Sequence, residues 1–287
     1  MAHRGINTNN DVWSGGKEAV AKDARNATSI SVVANTYQTT TTWHLFYVDQ
    51  QNHIREKVRK TPSTTWTEGA LTKPKATAMN DPHVTFQFCP DQKGGIQAFY
   101  ATDPQTIQRI NWIYGADAWM EKDDFTANGH VGMACYTWGA GTAQYKMFVS
   151  LNNEVKVSWK DTNTSVATTA KQPANIWTNS TVSISGDSRI TGSSFSEYLI
   201  MQTPDRSSVG HNITLDAENT RSDSAEQFTF DGTTILGTHM WLWGLPTKSG
   251  DKQLTIFHQT NGSDVTMIMR DMVTTQSLIR ALRIPQA

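Results

Sequence analysis

The sequence predicts an all-β chain folded as a single β-propeller of five four-stranded antiparallel blades, with six as the alternative, closed into a ring by the N-terminal strand. Three observations predict it. Tryptophans recur at one phase, Trp13, Trp66, Trp119 and Trp177, spaced 53, 53 and 58 residues apart, and Phe230 follows after another 53. An aromatic at fixed phase in a period near 50 marks a blade-by-blade β architecture. Between these aromatics, apolar or alternating runs of strand length are joined by polar turns. Finally, Trp13 precedes the first complete repeat while the last repeat lacks an outer strand of the usual form. The strand around Trp13 is therefore expected to complete the last blade, which removes an unpaired sheet edge.

The elements follow in order along one domain, 1–287. The first blade, about 27–75, reads ATSISVVAN, WHLFYVD, HIREKVRK and WTEGALT: four strands in hairpin order. The second, about 76–128, reads HVTFQFC, IQAFYAT, TIQRINWIY and WMEKDDF. The third, about 129–184, reads HVGMACYTW, QYKMFVSL, EVKVSWK and IWTNSTVSI. The fourth, about 185–236, is the weakest match, with ITGSSF, EYLIMQT, HNITLDAE (211–218) and EQFTFDG. The fifth, about 237–272, has HMWLWGL, QLTIFHQ and DVTMIMRD and takes residues 10–21 as its fourth strand. In the six-blade alternative, 273–287 and 1–25 make an irregular blade between them. The one weak helix signal is SLIRALR near the C-terminus. The repeated Trp is read as packing between neighbouring blades, with no part in chemistry.

Composition narrows the function classes. A net charge of -1 with 18% charged residues gives no basic surface for nucleic acid or an anionic membrane. No run of apolar residues is long enough to span a bilayer, and MAHRGINTNNDVW has no apolar core of a signal peptide, so a cytoplasmic protein is expected. The five sequons, at Asn26, Asn163, Asn179, Asn212 and Asn261, are then expected to stay bare. Cys89 and Cys135 make no disulfide framework and no zinc pattern and are read as two small core residues. No metal and no cofactor is expected. There is no GxSxG, no HExxH and no convincing carboxylate pair for hydrolysis. The sequence leaves a homodimer open.

The run WHLFYVDQQNHIREKVRKTPSTTW, with GIQAFYATDPQTIQRINWIYGADAW as the next best stretch, resembles a blade of the fungal fucose-specific lectins. The resemblance implies a β-propeller with sugar sites between adjacent blades. In that family an Arg on the second strand and the Glu of an I-R-E run hydrogen-bond sugar hydroxyls, and an aromatic of the next blade stacks on the sugar. A carboxylate accepts from two hydroxyls and a guanidinium donates in a fixed fork, which is why those types serve. Carried onto this chain, the Arg position falls at His44, Gln97, Lys146, Tyr198 and Leu254 in the five blades. The Glu position is Glu56 in the first blade and falls near Ile110, Val157, Leu215 and Met267 in the others. A fucosylated-glycan site would then consist of His44, Arg55 and Glu56 with Tyr100 or Trp112 from the neighbouring blade. One altered site is a poor lectin, because such sites are individually weak and gain strength through copies.

The losses replace polar positions with apolar ones, while the innermost strands are rich in aromatics. Phe88, Tyr136, Trp138, Trp241 and Trp243 are expected to line an apolar pocket near the axis, suited to small hydrophobic substrates. His83, His130 and His239 each open an inner strand and would ring one mouth of the channel as acid/base groups. In these features the chain is similar to the fungal hetero-Diels–Alderases of tropolone–sesquiterpenoid pathways. That resemblance implies dehydration to an o-quinone methide and cycloaddition with a terpene alkene, aided by a near-attack pose and exclusion of water. The first expectation is therefore a pericyclase of secondary metabolism, and the alternative a fucose-binding lectin with few functional sites.

Overall fold

The computed structural model describes residues 2–7, 12–26, 30–37, 39–72, 76–81, 84–90, 95–115, 118–130, 133–138, 143–149, 151, 155–161, 192–195, 198–202, 208–212, 226–230, 240–246, 252–258, 264–272 and 274–283. Among them every sheet is antiparallel, and the one helical element is a short 3-10 turn at Ala70–Thr72. No helix among the described residues is long and apolar enough to cross a membrane.

Six sheets are present among the described residues. A two-stranded sheet pairs β1 (Ala2–Asn7) with β2 (Val12–Ala19). The first four-stranded sheet runs in order β3 (Ile30–Tyr37), β4 (Thr40–Val48), β5 (Ile54–Lys60) and β6 (Thr67–Glu68). The second runs β7 (Phe86–Pro90), β8 (Ile96–Asp103), β9 (Thr106–Trp112) and β10 (Trp119–Thr126). A three-stranded sheet follows, β11 (Ala134–Trp138), β12 (Ala143–Val149) and β13 (Val155–Asp161). Then come β14 (Gly192–Phe195), β15 (Tyr198–Gln202), β16 (Ser208–Asn212) and β17 (Glu226–Phe230). The last sheet is β18 (Trp241–Pro246), β19 (Lys252–His258), β20 (Asp264–Asp271) and β21 (Ser277–Arg283). The first four of the five larger sheets lie within the first four predicted repeats, and the last runs past the expected end of the fifth at 272, to Arg283. Trp177 and the third repeat's outer segment lie outside the described residues, as does 213–218 of the strand expected at 211–218.

Two expectations are corrected by the strand pairing. The last sheet takes its fourth strand from β21, which pairs with β20 from Arg270↔Ser277 to Asp264↔Arg283. Residues 10–21 do not complete it: β2, which carries Trp13, pairs with β1 through Ile6↔Trp13. SLIRALR is thus a strand and not a helix. Its helix propensity is a weak prior, and an open sheet edge satisfies its backbone N–H and C=O groups at once. In register it sets Leu278 opposite Met269 and Ile279 opposite Ile268.

A third correction concerns the cysteines. Both Cys89 and Cys135 are disulfide-bonded and neither is a free core thiol.

By contact density the chain divides into two compact units, residues 1–130 with 137–144, and residues 131–136 with 145–286. In the first unit, strand alternation sends His44, Phe46, Val48, Ile54 and Glu56 to one face of the first four-stranded sheet. That face packs on Phe86, Phe88, Ile96, Ala98, Tyr100, Ile110 and Trp112 of the second sheet in one buried cluster. Phe46 and Phe88 are its centre, stacked with ring centroids 3.7 Å apart. Trp119 meets both edge-on, at 5.7 Å from Phe46 and 5.9 Å from Phe88, so this member of the Trp series packs between neighbouring sheets. In the second unit Ile200, Phe230, Met240, Leu242, Leu254, Ile256 and Ile268 form a separate buried cluster.

His258, at the end of β19, is 2% exposed, and burial pushes its pKa down to about 4. The unfolded chain, with an ordinary histidine near 6.5, therefore binds a proton in a window where the native state does not. Stability is expected to fall as pH drops from about 6.5 toward 4, and His258→Leu should flatten that part of the curve. Urea denaturation midpoints measured across this range test it; an unchanged slope in the variant would assign the loss to other groups.

Candidate functional site

The site is built around Glu56. β5 alternates Ile54 in, Arg55 out, Glu56 in, which places this carboxylate in the apolar layer between the first two four-stranded sheets, 1% exposed. A carboxylate there costs several kcal/mol to desolvate unless it is hydrogen-bonded. Three groups supply those bonds. His44 Nδ1, on the neighbouring strand β4, lies 2.7 Å from Glu56 Oε1. The backbone N–H of Leu71 donates to Oε2 at 2.8 Å from the 3-10 turn. Trp119 Nε1 donates to the same Oε2 at 3.2 Å from β10. The turn approaches closely because residue 69 is glycine: a Cβ there would stand 2.3 Å from Glu56 Cγ.

A cavity of about 700 Å³ opens beside this carboxylate. Its walls come from alternate positions Thr40, Thr42 and His44 of β4, Glu56, Val58 and Lys60 of β5, Thr67 and Glu68 of β6, Trp112 at the end of β9 and Tyr114 beyond it, with Gly69 and Ala70 above Glu56. His44 is 2% exposed, its ring 5.2 Å from that of Trp112 and tilted by 56°. Trp112 in turn meets Tyr114 edge-on at 5.9 Å. The result is a recess lined by threonine hydroxyls, the Lys60 ammonium, the Glu68 carboxylate and two rings, with the shielded His44 imidazole in its wall.

The structure thus brings together His44, Glu56 and Trp112 of the predicted residues and separates Arg55 and Tyr100 from them. Arg55 points to the opposite face of its sheet, where its Nε donates to Asp49 Oδ2 at 2.6 Å. Burial pushes the Asp49 carboxyl up, but the Arg55 bond and the backbone N–H groups of His53 and Gln51 outweigh it and hold the pKa below the ordinary value. This clamp fixes the turn between β4 and β5. Tyr100 is 2% exposed, donates to Gln108 Oε1 at 2.6 Å, and burial pushes its phenol up to about 12. It is a core residue, not a stacking platform.

Of the residues expected around an axial pocket, Phe88 lies in the core against Phe46. His130 is half-exposed, with Nδ1 2.9 Å from Asp81 Oδ2. His83 and His239 lie outside the described residues, and so do the side chains of Tyr136, Trp138, Trp241 and Trp243.

Register also fixes the position expected near Ile110. Phe46 pairs with Glu56 in the first sheet, and Phe99 pairs with Arg109 in the second. The residue corresponding to Glu56 is therefore Arg109, one before Ile110, and it is ion-paired with Asp123. Sequence reasoning gave Trp119 a packing role alone, although its fixed phase marked it, and it missed Tyr114 and the Leu71 amide. A backbone N–H leaves no trace in residue identity.

No family model matches the chain, and no curated protein matches it in sequence. Solved structures do resemble it. The lectin of Aleuria aurantia, described as a six-bladed β-propeller, is 11% identical, with a TM-score of 0.66 over 96% of this chain and 85% of that one. A mutant of the same lectin in complex with Fucalpha1-6GlcNAc gives 12% identity and a TM-score of 0.69 over 100% of this chain and 88% of that one. SapL1 lectin in complex with alpha methyl fucoside gives 19% and 0.66 over 96% and 86%. The class is thereby defined: an all-β protein with the β-propeller fold. Within that class its structural neighbours are fucose-lectin propellers.

Gly69→Ala is expected to push the Glu56 side chain off its donors and cost about 1–3 kcal/mol. Glu56→Ala, which leaves the Leu71 and Trp119 N–H groups unanswered, should cost about 3–5 kcal/mol. Chemical denaturation of both variants is the check, and two wild-type-like midpoints would show that the carboxylate is not a keystone.

Proposed function

We propose that the chain is a carbohydrate-binding protein of the propeller-lectin type, with a sugar site in the cavity between its first two four-stranded sheets. The observation that carries this reading is the composition of the cavity wall. Thr40 and Thr42 line the same cavity of about 700 Å³ as the rings of Trp112 and Tyr114, with the His44 ring packed beside Trp112. A monosaccharide needs such a pairing, because its hydroxyls require polar partners and its C–H face an aromatic one. The cavity lies in the repeat that retains Ile54-Arg55-Glu56, and solved neighbours of the same fold carry fucosides. Fucose or a fucosylated glycan is the first ligand to test. Of the residues named for the cycloaddition reading, Phe88 packs in the core and His130 pairs with Asp81, and the others lie outside the described side chains. The disulfide-bonded cysteines favour maturation in an oxidising compartment over the reducing cytoplasm.

A glycan array, followed by calorimetry on the best hit, tests the proposal. Binding of a single monosaccharide unit is expected to be weak, and Trp112→Ala should weaken it about tenfold or more, the equivalent of about 1.4 kcal/mol. No retention of any glycan, or binding unaffected by Trp112→Ala, would sink it.

A further inference from the structure

We infer that Glu56 is a positioning residue that holds His44 in one tautomer, so that the polar group His44 offers to the cavity is a hydrogen-bond acceptor and the ligand group that meets it is a donor hydroxyl. This deepens the carbohydrate reading and rests on it for the ligand class. A carboxylate accepts and cannot donate, so the Nδ1 that lies 2.7 Å from Glu56 Oε1 must carry the proton. In the neutral imidazole the other nitrogen, Nε2, is then a bare lone pair. Nε2 is buried and has no hydrogen-bond partner, and its ring lines the cavity. Nε2 is shielded from solvent and the rings of Trp112 and Phe46 pack against the imidazole, so a ligand reaches it only if that packing yields.

Glu56 does not itself meet the ligand on this account. Its Oε2 already takes the N–H groups of Leu71 and Trp119, and Gly69 lies over its side chain. The same two donors make the assignment testable. In Glu56→Gln they require the amide oxygen on their side, which turns the NH₂ toward His44. Nδ1 then has to accept, and the ring proton moves to Nε2. The cavity of this variant would present a donor.

The experiment is long-range ¹H–¹⁵N NMR of histidine-labelled protein at neutral pH, with ethylene glycol as hydroxyl-donor probe and acetone as acceptor-only probe. In the wild type, the His44 Nε2 resonance should be of the unprotonated type, shift with ethylene glycol and ignore acetone. In Glu56→Gln, Nε2 should be of the protonated type and respond to acetone. A protonated Nε2 in the wild type would overturn the inference, even if Glu56→Gln fails to fold. So would an unprotonated Nε2 that ethylene glycol does not move. Absence of glycan binding alongside the expected tautomer and probe response would count against the carbohydrate reading alone.

Discussion

One carboxylate, Glu56, ties together the strands that form the cavity. It sits where hydrophobic burial alone would have placed a leucine, and its donors come from β4, the 3-10 turn and β10. Hydrogen bonds to a charged group contribute about 1.5–3 kcal/mol each, so a set of three offsets a desolvation cost of several kcal/mol. The net gain is small. What the arrangement does supply is direction: apolar contacts between Phe46 and Phe88 hold the sheets together, whereas the bonds to Glu56 fix the orientation of His44 and the position of the turn carrying Leu71. A leucine at position 56 would extend the apolar layer but leave His44 Nδ1 and the N–H groups of Leu71 and Trp119 without their partner.

The rest of the cavity follows from that fixed point. Thr40, Thr42 and His44 project into it because a strand presents alternate residues to one face, and His44 shares its face with Phe46. Where the apolar layer of Phe46, Phe88 and Trp119 ends, the polar wall begins. The outer end of the same interface is therefore the first place where a ligand can meet polar groups and rings together, and Trp112 is the residue common to core and cavity, 8% exposed.

Much of the architecture was legible in the sequence, because periodic aromatics and strand-length runs are one-dimensional signals. The repeats, the hairpin order and the placement of Trp119 between sheets all follow from such signals. What failed was information carried in pairing. Nothing in VWSGGKEA or SLIRALR says which edge each will join, since a strand edge offers the same backbone groups to any partner. The displacement of Ile110 by Arg109 is of the same kind: a one-residue slip moves a side chain to the other face, and only the observed register settles it. For the site, residue types at the right spacing located His44, Glu56 and Trp112. They misassigned Arg55, adjacent in sequence but on the opposite face, and could not reveal donors that belong to the backbone.

The substitution pattern at the two positions now has a physical meaning. In the family that the Ile54-Arg55-Glu56 repeat resembles, a guanidinium stands at the place of His44. A guanidinium only donates, and next to a carboxylate it leaves a site that offers donors and acceptors from two separate groups. An imidazole at that place can give one proton to Glu56 and retain one lone pair. In this chain the pair has one end buried against Leu71 and Trp119 and the other beside Trp112. In the second sheet the corresponding pair is Gln97 and Arg109, and Arg109 is ion-paired with Asp123 on the adjacent strand. That charge is neutralised within its own sheet, whereas Glu56 is answered by donors from two.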